Sequence, residues 1–383
     1  MSDRDGVLPR LRRALSRSAR AVRHVAGRGR SHFERVERTP YRVTVSGVRG
    51  KSTVVRWLNE ALVARDLETY AKVTGNQAVS YRNRSGHEIT RSGPTRLYEN
   101  ERELRTHAPV DAIVAENQGI REYTTRLANE LFDPQVVLLL NVRRDHQSTL
   151  GAELADIARV FTRTIPEDAH VISGDRNDAI NEYLRREFEK TGHGFTVAKP
   201  RPDSPFEDAF GARSAFLVDE TLRALGLEPL SQSRIESLVT ELRSEWRWQR
   251  LDGGGLVSNG AMMNDIESTE LLRQFLVDRL DGTTVTPFIY TRRDRAGRTA
   301  AFVHYLTWLA ENDLIGRIHV AGSHAKLLER RVDAEFVHHP GSEPPERVLD
   351  ACLDEGYPVY LMGNTVAEFM RELTAEIDRR TVE

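Results

Sequence analysis

The sequence predicts two successive α/β units, each built on a mainly parallel sheet, the first larger and the second smaller and Rossmann-like. Three observations lead there. Short β-branched runs alternate with longer helical stretches from Tyr41 onward, a strand runs through a glycine-containing turn straight into a helix at residues 43–53, and the alternation restarts after WRWQRLDGGG at residues 246–255. At 383 residues the chain is longer than one ordinary domain. This gives an arm and linker over residues 1–40, a first unit over 41–245 and a second over 246–383.

The arm comes first. Residues 8–26 place Leu8, Leu11, Leu15, Ala19, Val22 and Val25 at helical spacing, with arginines on the other faces. Eleven arginines stand against Asp3, Asp5, Glu34 and Glu37 in residues 1–40, so this stretch carries about +7 of a chain whose net charge is −2. A basic amphipathic helix of this kind suits an anionic membrane surface, and equally a polyanionic product, an acidic partner or its own protein's surface. No nucleic-acid reading motif accompanies the arginines, so nucleic acid is not expected as a partner. Gly27, Gly29 and Pro40 set the linker near residues 27–40.

In the first unit, strands are expected at YRVTVSG, DAIVAEN, QVVLLLNV and HVISG. Helices are expected over 51–65, 152–164 and about 213–225, with an irregular excursion at 190–212. The second unit reads as LVSNG, a helix over 267–280, TPFIYT, a helix near 299–311, RIHVAG, a helix near 323–331, then YPVYLMG and a terminal helix. No apolar run approaches the ~20 residues of a membrane span, and no secretory signal is evident. Cys352 is the single cysteine. It fits a reducing compartment and a small core position, and no CxxC or Cys/His spacing points to structural zinc.

The turn carries the chemistry. VTVSGVRGKST at 43–53 enters a helix through Gly47, Val48, Arg49 and Gly50, then Lys51, Ser52 and Thr53. This is a P-loop context: glycines admit phosphates to the backbone, Lys51 bridges their oxygens and the Ser52 hydroxyl is a Mg²⁺ ligand. The loop is short, since Val45 occupies the position of the usual first glycine. A Mg·ATP site needs further hard oxygen ligands at neighbouring strand ends. Glu116 ends DAIVAE, and Asp145 and His146 follow LLLNVRR. Taken singly, Glu116 also reads as a helix cap and His146 as a core or loop histidine. Arg49, Arg143 and Arg144 suit a carboxylate-rich substrate, and read equally as surface charges. Trp246 and Trp248 read as a clamp at the junction of the units or as plain packing.

GVRGKST, AEN after an apolar strand and NVRRDHQSTLG resemble the signatures of the Mur-ligase superfamily, whose central domain the first unit would match. Within it the sequence looks closest to the ATP-ligase subunit of poly-γ-glutamate synthase, the PgsB/CapB type, through RGKST, NDIEST at 264–269 and YTRRDR at 290–295. The resemblance covers about residues 41–380. It implies an ADP-forming ligase that uses ATP to turn a carboxylate into an acyl phosphate, which the amine of glutamate attacks to extend a γ-glutamyl chain.

It also implies roles. Lys51 would stabilise the transferring phosphoryl group, Ser52 and Glu116 would hold one Mg²⁺, and His146 a second cation or the acyl phosphate. Asn141 would orient that group, and Asn264, Asp265, Arg293 and Asp294 would reach the nucleotide on closure. Small membrane subunits are implied as partners, which places the chain in the cytoplasm, peripheral at the inner face of the membrane; homo-oligomerisation stays open. Two departures stand out. Residues 152–165 hold no lysine to carbamylate, and only about forty residues precede the loop, where murein ligases hold a UDP-sugar domain. Two other readings remain open: a Mur-like ligase for another amino-acid or folate-type acceptor, and a nucleotide-dependent regulator of a transport complex.

Overall fold

The computed structural model describes residues 29–74, 78–91, 96–144, 147–151, 153–201, 206, 209–363, 365 and 367–382. The amphipathic arm segment 8–26, Asp145 and His146 therefore lie outside the described residues. No helix among the described residues is long and apolar enough to cross a membrane.

Two sheets form. The first contains β1 (Tyr41–Ser46), β2 (Thr69–Val73), β3 (Val79–Arg82), β4 (Ser85–Glu88), β5 (Ala112–Glu116), β6 (Val136–Leu139), β7 (His170–Ser173) and β8 (Phe195–Val197). Their order is β4-β3-β2-β5-β1-β6-β7-β8. From β2 to β8 in that order the neighbours pair in parallel, and the β3–β4 hairpin joins β2 antiparallel at one edge. Strand alternation builds both faces: Val43, Val45 and Leu138 join one core with Val54, Leu58 and Leu62 of the helix Lys51–Val63, while Val137 and Leu139 join Ile157, Phe161, Leu184 and Phe188 on the other.

The second sheet contains β9 (Gln249–Leu251), β10 (Leu256–Asn259), β11 (Thr286–Thr291), β12 (Ile318–Gly322), β13 (Phe336–His339), β14 (Val359–Met362) and β15 (Thr381–Val382), in the order β13-β12-β11-β14-β10-β9-β15. β10 to β14 pair in parallel, and β9 and β15 close one edge antiparallel. β1 lies between β5 and β6, and β14 between β11 and β10. Ligand sites of open α/β sheets lie beyond the carboxyl ends of such strands, where the strand order reverses.

Three departures from the sequence expectations have physical causes. Residues 29–37, read as linker, are helical, because His32 and Val36 are buried and His32 Nε2 lies 2.6 Å from Leu131 O. The excursion at 190–212 contains the edge strand β8, which pairs with β7. The hairpin β3–β4 and the helix Glu99–His107 were not expected: β4 is exposed throughout, and the helix buries polar side chains such as Asn100 and Glu103, so neither shows an apolar pattern.

Candidate active site

β1 ends in Val45 and Ser46, and the chain then turns through Gly47 at φ +109° and Gly50 at φ +83°. A Cβ on Gly47 would sit 3.0 Å from the backbone nitrogens of Leu140 and Asn141, so both conformation and space demand glycine. Gly50 caps the helix Lys51–Val63, whose first turn has no capping side chain and no acid. The N–H groups of that turn and the positive end of the helix dipole therefore face outward, as an anion site requires.

Asn141 lines the cleft and braces this loop. Its Oδ1 accepts from the N–H groups of Val48 at 3.1 Å and Arg49 at 3.0 Å, and its Nδ2 donates to Arg49 O at 3.0 Å. Lys51 Nζ curls back to Gly47 O at 3.0 Å and lies 3.8 Å from Glu116. Ser52 Oγ donates to Glu116 Oε2 at 2.9 Å, and the Thr74 N–H donates to the same oxygen at 3.0 Å. A carboxylate only 6% exposed thus meets a hydroxyl and an ammonium at the mouth of the loop. Two hard oxygens side by side are a suitable donor set for Mg²⁺. Thr74 was not expected; it stands beside Glu116 because β2 and β5 are parallel neighbours, a tertiary fact.

The second unit closes over this mouth, leaving a cleft of about 1280 Å³. Arg49 Nε donates to Met263 O at 2.5 Å and to Asp265 Oδ2 at 2.9 Å. Asp265 is buried and also caps the helix Ile266–Val277 through Ser268 N. Asn264 lines the cleft at φ +57° and accepts from Arg298 at 2.6 Å. Thr53 lines it too, as do Gly47, Val48, Arg49, Gly50, Lys51 and Ser52.

Arg293 and Asp294 do not line the cleft; Arg292, Arg295 and Arg298 do. A 3-10 turn at Arg293–Arg295 sets this phase, and Asp294 is turned to Arg292 at 2.6 Å. The sequence showed the arginine-rich segment without showing which members point inward. Arg143, Arg176 and Arg213 also line the cleft, from the ends of other elements. Arg144 lies outward, 3.6 Å from Glu153 and 3.9 Å from Glu267. Trp246 lines the cleft, and Trp248 donates to Leu276 O at 2.9 Å; both pack on the core of the second unit.

Comparisons with known proteins agree with this layout. Residues 249–380 match the family described as the poly-gamma-glutamate synthase CapB C-terminal domain. The chain is 31% identical over 207 residues to PGA synthase CapB of Bacillus subtilis (strain 168), covering 52% of this chain and 51% of that protein. It is 29% identical over 151 residues to the capsule biosynthesis protein CapB of Bacillus anthracis, covering 38% and 32%. The chain therefore spans about half the length of the first curated relative it matches, and about a third of the second. Among solved structures, E. coli FolC in complex with ADP superposes with TM-score 0.58 at 16% identity over 92% of each chain. MurF from Acinetobacter baumannii superposes with TM-score 0.61 at 15% identity over 92% of this chain and 80% of that one. The likeness at these identities establishes the fold: two successive α/β units arranged as in FolC and MurF.

Proposed function

We propose, from the premise that a Mur-ligase fold here carries a CapB-type C-terminal domain, that this chain is an ATP-dependent amide ligase forming γ-glutamyl bonds. The observation that carries the reading is the convergence of Lys51, Ser52 and Glu116 at an open helix N-terminus, facing Arg292, Arg295 and Arg298 across one cleft. On this reading residues 41–245 are the nucleotide unit, residues 246–383 the ligase unit and residues 1–40 an arm.

The phosphates of ATP would sit on the loop, with Lys51 exchanging its bond to Gly47 O for phosphate oxygens. Ser52 and Glu116 would hold Mg²⁺, which when bound neutralises phosphate charge. The carboxylate ending a γ-glutamyl chain attacks the γ-phosphorus and ADP leaves; the amine of glutamate then attacks the acyl carbon, forming the amide and releasing phosphate. No protein nucleophile is required, so positioning and charge neutralisation supply the catalysis. The cleft arginines suit a substrate made of carboxylates. Closure of the two units over the cleft would keep water from the acyl phosphate. His146 is assigned to the phosphoryl or second-cation site by resemblance alone. Small membrane subunits as partners, and attachment at the inner face of the membrane through the basic arm, complete the proposal.

The test is ADP release and product mass spectrometry with ATP, L- or D-glutamate and a short γ-glutamyl oligomer. Products lengthened by one residue, lost in Lys51→Ala and Glu116→Ala, are expected. Amino-acid-dependent turnover with a different acceptor, or none with glutamate in the presence of membrane partners, would overturn the reading.

A further inference from the structure

In the second unit, among residues that do not line the cleft, three potential ligands meet where no chemistry has been assigned. His319 lies near the start of β12, His339 ends β13, and Cys352 lies on the helix Pro345–Leu353 packed over them. These residues are 1%, 6% and 1% exposed. One nitrogen of each ring and the Cys352 sulfur lie within 4.8 Å of one another.

The hydrogen-bond chemistry of this group is unusual. His319 Nε2 lies 3.2 Å from Glu355 Oε1, and His339 Nδ1 lies 3.0 Å from Glu343 Oε2. Carboxylates accept, so these outward nitrogens carry the N–H. The inward nitrogens, His319 Nδ1 and His339 Nε2, then face each other at 2.9 Å as two lone pairs in neutral rings. Such a contact is repulsive unless a positive centre sits between them. The outward arrangement, imidazole N–H to carboxylate, is also the support that metal-ligating histidines use to fix their tautomer and raise their basicity.

We propose that His319, His339 and Cys352 bind a borderline transition-metal dication of the Zn²⁺ class, with Glu343 and Glu355 as the supporting acceptors. On binding, the Cys352 thiol releases its proton to solvent and its thiolate joins the two imidazole nitrogens, leaving one tetrahedral position for water. The nitrogens need only part to about 3.3 Å to share a tetrahedral ion with metal–nitrogen bonds of about 2.0–2.1 Å. The ion would tie β12 and β13 to the helix over them, apart from the Mg²⁺ site, whose donors are oxygens. Thiolate and imidazole select against Mg²⁺.

The experiment uses the full chain equilibrated with Zn²⁺ or Co²⁺ in excess Mg²⁺, desalted, and assayed by elemental analysis and absorption spectroscopy. About one Zn²⁺ per chain is expected, and the Co²⁺ form should show a thiolate-to-metal charge-transfer band. Cys352→Ser, nearly isosteric, should remove that band and the retained equivalent while its circular dichroism stays native. Glu343→Gln should weaken binding by about 10- to 100-fold. Glu116→Ala should retain the ion in full. Absence of retained metal in the native protein, or equal retention in Cys352→Ser, would overturn the proposal. The second result would point instead to His87, Glu103 and His107, which form the other such cluster among the described residues.

Discussion

Replacing Arg49 by alanine removes a bond that joins the phosphate loop to the second unit. The guanidinium is 26% exposed and the Asp265 carboxylate is fully buried, so the pair stands between a surface salt bridge and a buried one. Surface pairs contribute about 0–1 kcal/mol, and breaking a buried pair costs about 3–5 kcal/mol. Asp265 keeps the Ser268 N–H as a donor after the change, which reduces its stranding, and the Met263 carbonyl loses one donor. A value of about 2 kcal/mol follows, equivalent to about a 30-fold shift of the equilibrium between docked and undocked loops. Hydrogen exchange of the amides at 260–266, measured without nucleotide so that phosphate contacts do not enter, reads this directly. Exchange in Arg49→Ala should quicken by about that factor, while the amides of β12 and β14 stay protected. Exchange at 260–266 within threefold of the native protein would refute the clasp, since about 2 kcal/mol cannot vanish from a two-state opening.

Other outcomes follow from the same geometry. Gly47→Ala forces a Cβ to 3.0 Å from backbone at φ +109°, and should abolish nucleotide binding measured by calorimetry while leaving the second unit's exchange protection unchanged. Glu99 ties the buried Lys72 and Arg91 at 2.8 Å each. Burial alone would raise the Glu99 carboxyl, but hydrogen bonds from Arg91 and Lys72 outweigh it and hold it from the ordinary 4.5 down to about 2. A depressed folded value means stability is present above pH 4.5 and is lost as pH falls towards 2. Native protein should lose about 3 kcal/mol across that window in acid titrations of denaturant midpoint, and Glu99→Gln should lose far less of its remaining stability there. At neutral pH Glu99→Gln should itself be destabilised by about 3 kcal/mol or more, because Lys72 then keeps a buried charge without its partner.

Much of this molecule was legible in the sequence because its signals are local. A β-branched run, two glycines and Lys-Ser-Thr define the loop within a dozen residues, and the restart of strand–helix alternation after residue 246 marks a second sheet. Glu116 was legible because an acid ending a strand as apolar as DAIVAE has only the strand tip to occupy. The same reasoning left open what the Asn141 amide touches. Its position beyond β6 was apparent, but whether its amide faces a ligand or the loop depends on a 3.0 Å approach between segments ninety-two residues apart.

What only the tertiary structure decided is which distant side chains share a space. Thr74 joins Glu116 through strand neighbours, and the inward arginines are selected by the phase of a short 3-10 turn. Arg49, read as a candidate for substrate carboxylates, meets the carboxylate of Asp265 from the second unit. His319, His339 and Cys352 show the limit most clearly. Spacings of twenty and thirteen residues match no cysteine–histidine pattern, because the three come from two adjacent parallel strands and the helix that crosses them. Sequence periodicity determines which face of an element is apolar, and hence the sheets and their layers. It carries no information on which elements then pack together, and that packing places the charges.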